Sequence, residues 1–552
     1  MGAVPCACIP TAGTMVRVTQ QASERAELVG LEREPAGPPG GPQAPPRRRY
    51  VNRWMLGLLI AVVACHVLGL LDPRLGADEG VFLVIGRDVA AGRLPYRDAW
   101  DNKAPGIYAV TLGLTRLPLP LGGLRCLSAL AWLAAFAGLG AALRVQARRE
   151  LPLLLLYAAA VILESGIGGQ HIYTEHWEAS CLVAALALAL VASRRPPGLA
   201  HGVWSAAAGA ALGVAIVFRP TALLYAPVVG WLAGTAQGPD RRFSGIGVGA
   251  VAGGLGLVIA AAAGALGALG ILHEGIEQGL AANSQVSSGF GLRETIQNWR
   301  TLTVHLMLVA FAIALAASGL LARRATPQPR LFAACGVAVA IAFLEALAPR
   351  KNFTHYLLPL AYFLVPLGWA AILSGGLSPS PRRSNVSLTA LGLLVPVAAT
   401  WAVPRALATV REWASPAPVT VHGVDLGTLR AHYRPGDTVW CGGAMAGDLY
   451  WYLDASPASR FLYTESAATQ FVDGAIVRQG IARNRPSVVL LVDEWLDEEG
   501  RPSQRVPIEV RELLAADYAL IQRGSPYESA SLFVRRTALP ASQSPSAAAA
   551  IP

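Results

Sequence analysis

Eleven apolar stretches, each near the roughly 20 residues a helix needs to cross a bilayer, follow one another along this chain. They fall at about 54–71, 121–143, 151–167, 177–193, 202–217, 221–234, 245–272, 302–322, 331–347, 355–374 and 387–404. A soluble fold cannot bury that many all-round apolar helices. Charge agrees, since only 14% of residues are charged and 53% are hydrophobic, against roughly 25% charged in soluble proteins. A soluble enzyme and a mainly disordered chain are both excluded. The runs 202–217 and 221–234 meet at Phe218-Arg219-Pro220. As one helix they would be about 50 Å long, so a break at Pro220 is expected.

The basic residues orient these spans. Of 45 basic residues only Lys103 and Lys351 are lysines. With the N-terminus in the cytoplasm, every inner segment holds an arginine cluster: Arg47–Arg49 with Arg53, Arg144 with Arg148 and Arg149, Arg194 and Arg195, Arg241 and Arg242, Arg323 with Arg324 and Arg330, Arg382 and Arg383. That is the positive-inside pattern. The +10 net charge thus serves topology, and no nucleic-acid partner is expected. The apolar run 105–118 read as a further span would put the later clusters outside, so an interfacial helix is expected there.

Residues 1–49 read as a disordered cytoplasmic tail rich in Pro, Gly and Glu, with no cleavable signal peptide, and the segment before Met15 as a candidate upstream extension. Cys6-x-Cys8 suits a metal or a lipid but lacks a second cluster, and the seven cysteines show no disulfide or metal spacing. Residues 416–537 gain charge and lose long apolar runs. Asp437–Cys441 and Ser487–Val492 read as buried strands, with a helix near 507–515 and a closing strand near 531–535. A small exported α/β domain is expected, followed by a low-complexity tail, 538–552.

The scarce outer charges gather in four loops. The first, 72–120, carries Asp78-Glu79-Gly80 and then Tyr96-Arg97-Asp98 and Asp101-Asn102-Lys103-Ala104-Pro105-Gly106. Between them Val81, Ile85 and Val89 recur at helical spacing, as in a helix lying in the interface plane. Adjacent residues point in different directions, so one of Asp78 and Glu79 is expected to face a reacting group. The second loop carries Glu164 and His171-Ile172-Tyr173-Thr174-Glu175-His176-Trp177-Glu178, a donor set for a divalent metal at a spacing that matches no established motif. Arg219 before Pro220 and Arg350-Lys351-Asn352-Phe353-Thr354-His355-Tyr356 complete the set. Taken singly, the acids read as solvated loop charge, Arg350 and Lys351 as snorkelling cations, and Tyr96, Trp100, Tyr173 and Trp177 as belt aromatics. Their concentration on one face favours a site.

In this order the motifs resemble the protein mannosyltransferase and aminoarabinose transferase family (glycosyltransferase family 39), polyprenyl-phosphate-sugar-dependent glycosyltransferases of the GT-C class. Asp78-Glu79-Gly80 with Lys103-Ala104-Pro105 resembles its first outer loop, Thr174-Glu175 a later Thr-Glu, Arg219-Pro220 a basic-Pro position, and His355-Tyr356 the His-Tyr that opens a late span. The family often has Lys-Pro-Pro where this chain has Lys103-Ala104-Pro105, and Lys where it has Arg219; both keep the cation. The resemblance spans about residues 50–410. It implies an all-α polytopic GT-C membrane protein with about eleven spans and interfacial helices in its first outer loop, with the small α/β domain outside an inner membrane.

The implied activity is inverting transfer of a sugar from a polyprenyl phosphate to a lipid, glycan or protein acceptor. Asp78 is then the expected base and Glu79 orients the loop or acceptor. Lys103, Arg219, Arg350 and Lys351 are expected to hold the lipid phosphate. Tyr96, Asp101, Glu175, His355 and Tyr356 are expected to shape the substrate pocket, with no certain cofactor. Residues 273–300 are expected to close over bound lipid, and the C-terminal region to recognise acceptor or add stability. A transporter or flippase of lipid-linked sugars is the rival. It needs the phosphate-binding cations but no base, and the inverted repeats that would favour it are not seen. The identity of sugar and acceptor lies beyond the motifs.

Overall fold

The computed structural model describes residues 64, 66–144, 171–235, 243–282, 329–347, 354–375, 404, 406–414, 419–443, 446–464, 473–524 and 529–539. The tail 1–49, the runs 151–167 and 302–322, the run 387–404 except residue 404, Glu164, residues 283–300, Arg350, Lys351 and residues 540–552 lie outside them.

Helices α1 (Ala77–Ala90) and α2 (Gly106–Thr115) occupy the first loop. They lead into α3 (Leu121–Arg144), α4 (Thr174–Ser193), α5 (Leu199–Phe218), α6 (Ala226–Gly234) and α7 (Gly245–Ala268). A short α8 (Leu272–Ile276) runs into a π-helical turn, Glu277–Ala282, and α9 (Pro329–Leu347) and α10 (Leu358–Gly375) follow. Among the described residues, α3 to Ala142 and the whole of α4, α5 and α7 are long and apolar enough to cross a membrane. The chain breaks at Arg219, whose extended backbone separates α5 from a 3-10 turn, Pro220–Tyr225. Proline cannot donate to the preceding turn and biases its predecessor away from helix.

Helix α4 is the hub, packed against α3, α5, α6 and α10. Trp132, Phe136, Leu186, Leu212, Tyr225, Leu232 and Tyr362 fill the helical core. Helices α5 and α7 meet through glycines: a Cβ on Gly254 would lie 2.0 Å from the Ala206 carbonyl, and one on Gly209 2.0 Å from that of Val251. Small residues give backbones this close approach in apolar surroundings. Leu257, elsewhere on α7, is 71% exposed.

The C-terminal residues form a layer of sheet and helix. A two-stranded ribbon, β1 (Thr420–Val421) and β2 (Val424–Asp425), precedes α11 (Leu426–His432). A five-stranded sheet follows, built from β3 (Thr438–Gly442), β4 (Ser456–Pro457), β5 (Val488–Leu491), β6 (Tyr518–Gln522) and β7 (Ser531–Arg535) in the order β4-β3-β5-β7-β6. The β4, β3 and β5 strands are parallel, with Val439 opposite Val488; β7 and β6 continue antiparallel, with Val488 opposite Val534. Helices α12 (Gly447–Tyr452), α13 (Gly474–Asn484) and α14 (Ile508–Asp517) complete the layer. All four residues of β5 are buried, as a central strand covered on both faces requires.

The first loop and this layer share one core. Val81, Phe82, Ile85, Trp100 and Tyr108 are buried in the same cluster as Trp440, Tyr450, Phe461, Leu490 and Phe533. Helix α1, expected as a helix lying in the interface plane, turns its apolar residues into this core. Residues Glu79–Gly86 are all buried, between α2 on one side and α12 on the other. The crossing with α12 needs glycine on both partners. A Cβ on Gly447 would lie 2.2 Å from the Val81 amide nitrogen, and one on Gly80 2.8 Å from the Gly447 carbonyl carbon. Gly447→Val is expected to cost about 1–3 kcal/mol or more by overpacking, read as a lowered unfolding temperature of the detergent-solubilised protein.

Candidate active site

The first turn of α1 sends its two acids in different directions. Glu79 turns inward and is fully buried. Its Oε2 accepts the Gly76 N–H at 3.1 Å, half of a capping arrangement. Arg125, near the start of α3 and also fully buried, donates to both carboxylate oxygens, Nε to Oε1 at 2.8 Å and a terminal nitrogen to Oε2 at 2.6 Å. The Ile172 N–H donates to Oε1 at 3.1 Å, and His171 Nδ1 lies 3.0 Å from Oε2. Arg125 also donates to the carbonyls of Asp72 and Arg74, at 2.5 and 2.7 Å. Burial alone would raise the Glu79 carboxyl, but the Arg125 guanidinium, with His171, holds it well below the usual carboxylate range. Glu79 is thus an anchor joining α1, α3 and the start of α4, and no lone pair is left for a reacting atom.

Asp78 faces the other way and is only 14% exposed. Its Oδ2 lies 3.7 Å from Lys103 Nζ and 3.7 Å from His355 Nε2. Its Oδ1 has no ion-pair or hydrogen-bond partner among the described residues. Lys103 follows the loop that leads into α2 and sits 6.0 Å from the centre of the Phe82 ring. Burial disfavours its charge, yet Asp78, Tyr356, Glu175 and Asp101 together keep its ammonium well above the ordinary lysine range. His355 and Tyr356 come from a 3-10 turn, Thr354–Leu357, and the His355 ring stacks on Tyr173 at 4.5 Å between centroids.

A second group surrounds Arg219. Its Nε lies 3.7 Å from Glu175 Oε1, and one terminal nitrogen lies 3.1 Å from Glu178 Oε2 and 3.4 Å from Glu345 Oε1. Its guanidinium sits 5.1 Å from the centre of the Tyr356 ring. Thr221 and Tyr225 donate to the Glu345 carboxylate, the latter at 3.1 Å, and Thr174 donates to Glu175 at 2.9 Å. Pro220 ends α5, so Arg219 stands at a break where three helices converge. Three carboxylates already compensate its charge, so Arg219 is less available to an anion than Lys103. Glu345 was not among the expected site residues, and Glu178 was expected only as part of a donor set for a divalent metal. The available signal was a lone acid inside an apolar run, such as Glu345 in α9, since an intramembrane ionisable residue is a site candidate by default.

Asp78, Lys103, Glu175, Arg219, His355 and Tyr356 therefore come together from five separate stretches of chain. Tyr96 and Asp101, also expected at the site, are both buried. Asp101 accepts from the hydroxyls of Tyr108 and Tyr463, each at 2.8 Å, and from the Asn102 N–H at 2.7 Å; burial raises its carboxyl. Arg350 and Lys351 lie outside the described residues. His171 precedes α4 rather than sharing a helical face with Glu175. Among the described residues no group of three His, Cys, Asp or Glu is placed to hold a metal ion.

No protein-family model matches the sequence, and no curated protein matches it. Solved structures do. ArnT from Cupriavidus metallidurans bound to undecaprenyl phosphate is similar over 90% of this chain and 100% of its own, with a TM-score of 0.56 at 15% identity. The apo state of the same protein gives a TM-score of 0.52 at 16% identity over 87% of this chain and 98% of its own. The chain has the fold of the GT-C glycosyltransferases.

Proposed function

We propose that this protein is an inverting glycosyltransferase that moves a sugar from a polyprenyl-phosphate donor to a lipid, glycan or protein acceptor at the outer face of a bacterial-type inner membrane. The observation that carries this reading is the Asp78–Lys103–His355 group: a carboxylate with one oxygen uncommitted among the described residues, beside a half-buried ammonium. The GT-C fold supports it, as does the undecaprenyl phosphate of the similar ArnT structure.

In the proposed step the acceptor hydroxyl transfers its proton to Asp78 Oδ1 while its oxygen attacks the anomeric carbon of the donor. The new carbon–oxygen bond forms as the bond to the phosphate oxygen breaks, with the electron pair leaving on the phosphate. A phosphate is a stable leaving anion, so no protonating acid is required; its growing charge is met by Lys103, placed to stabilise the transition state. One displacement inverts the anomeric centre. His355, held by its stack on Tyr173, lies 3.7 Å from the same Asp78 oxygen that Lys103 approaches. Arg219, with Glu175, Glu178 and Glu345, forms the polar floor beside Tyr356, suited to sugar hydroxyls. Arg350 and Lys351 remain candidates for the lipid phosphate.

The base is what a flippase would lack, and the uncommitted oxygen of Asp78 favours transfer. Lys103→Ala is expected to raise the KM for donor about tenfold or more and to lower kcat as well, because a charge-assisted contact to phosphate is worth roughly 1.5–3 kcal/mol. Steady-state transfer with purified protein and polyprenyl-phosphate sugars checks this; unchanged kinetics would remove Lys103 from the site.

A further inference from the structure

We infer that Tyr96 is the positioning residue for Lys103, and that through it the C-terminal layer and the π-helical turn Glu277–Ala282 set the strength of donor binding. This rests on the reading of Lys103 as the phosphate-binding cation.

The Tyr96 side chain is fully buried, and its hydroxyl donates to the Lys103 carbonyl at 2.8 Å. Its backbone adopts a φ of 66°, a left-handed conformation that costs a bulky residue energy and persists only where its surroundings enforce it. Those surroundings are two elements distant in sequence. Arg460, just after β4, donates to the Tyr96 carbonyl at 2.8 Å, and Gln278, in the π-helical turn, donates to the same oxygen at 2.8 Å. One carbonyl therefore reads both elements, and the hydroxyl of the same residue holds Lys103.

The neighbouring contacts repeat the arrangement. The Trp100 N–H donates to the Arg460 carbonyl at 2.7 Å, and the Tyr463 hydroxyl ties Asp101 to the C-terminal layer. The π-helical turn lies beside the same oxygen: a Cβ on Gly279 would be 3.2 Å from the Lys103 carbonyl oxygen and 3.6 Å from the Tyr96 hydroxyl. The Lys103 carbonyl thus meets a tyrosine hydroxyl and a close-packed glycine together. A π-turn is a costly, uncommon conformation that clusters at functional sites, and here it gives Gln278 and Gly279 simultaneous contact with Tyr96 and Lys103. Through these contacts the C-terminal layer holds the loop that carries Lys103.

The test measures binding of undecaprenyl phosphate, without sugar, to the purified full-length protein in detergent, per mole of folded protein. Tyr96→Phe removes only the hydroxyl. It is expected to weaken binding about tenfold, the equivalent of one net hydrogen bond. Arg460→Leu and Gln278→Leu are expected to weaken it severalfold, and Arg460→Lys, which keeps a donor, to restore most of it. Each combined with Tyr96→Phe is expected to add little, since residues acting through one path are non-additive. A merely structural role would lower the yield of folded protein and leave the affinity of the folded fraction unchanged. Wild-type binding with unchanged affinity in Tyr96→Phe overturns this inference alone, as do fully additive effects. If the wild type binds no undecaprenyl phosphate, the functional reading fails and this inference with it.

Discussion

Asp78→Asn is expected to lower kcat for sugar transfer by about 100- to 10,000-fold, the range a positioned general base supplies, while the KM for donor changes little. The substitution is nearly isosteric. It keeps a partner for His355 and for Lys103, whose position depends on Tyr96 as well, so the site stays assembled. What disappears is the carboxylate that receives the acceptor proton. A parallel loss of donor binding would instead make Asp78 an electrostatic anchor for Lys103. Full activity would remove the base from the account.

The second large effect falls on stability. Glu79→Ala leaves Arg125 fully buried without its carboxylate, and breaking a buried pair costs about 3–5 kcal/mol. The variant is expected to yield little monodisperse protein in detergent chromatography. Glu79→Leu combined with Arg125→Met is expected to recover part of the loss, because apolar replacement of both partners removes the desolvation cost with the pair. Recovery no better than the single variant would mean that the contacts of Arg125 to the Asp72 and Arg74 carbonyls matter more than the ion pair. The same pair sets an acid limit. Glu79 titrates lower in the folded protein than its ordinary value of 4.5, so its contribution is complete above that value and is lost progressively as pH falls below it. Unfolding temperatures measured from pH 7 down to pH 3 should drop in the wild type more steeply than in the double variant.

The apolar runs made the helices legible, since period and length survive any tertiary context. The break at Pro220 and the strands around Val439, Val488 and Leu532 could be read for the same reason: local chemistry fixes them. The separation of Asp78 from Glu79 followed from helix geometry alone. What Glu79 meets did not, because Arg125 looks like an ordinary basic residue at the head of a span until α3 is placed beside α1. The docking of α12 on α1 was equally hidden. Gly447 and Gly80 are unremarkable glycines separated by most of the chain, and only their contact shows why neither tolerates a side chain. Tyr96 and Asp101 were read as substrate contacts because they accompany Lys103 in sequence; their burial and their hydrogen bonds, Tyr96 to the Lys103 carbonyl and Asp101 from Tyr108 and Tyr463, appear only in the fold. Glu345 was passed over because it is a single acid in an apolar stretch, whose partner, Arg219, comes from another part of the chain, and Glu178 was read only within the donor set of the second loop.

The most direct measurement is transfer stoichiometry. Purified protein is given a radiolabelled polyprenyl-phosphate sugar and a membrane extract as the source of acceptor, and released polyprenyl phosphate is quantified against glycosylated product. The account predicts the two in equal amounts, both absent with Asp78→Asn. Donor that is moved across vesicle membranes while its sugar stays attached would contradict it.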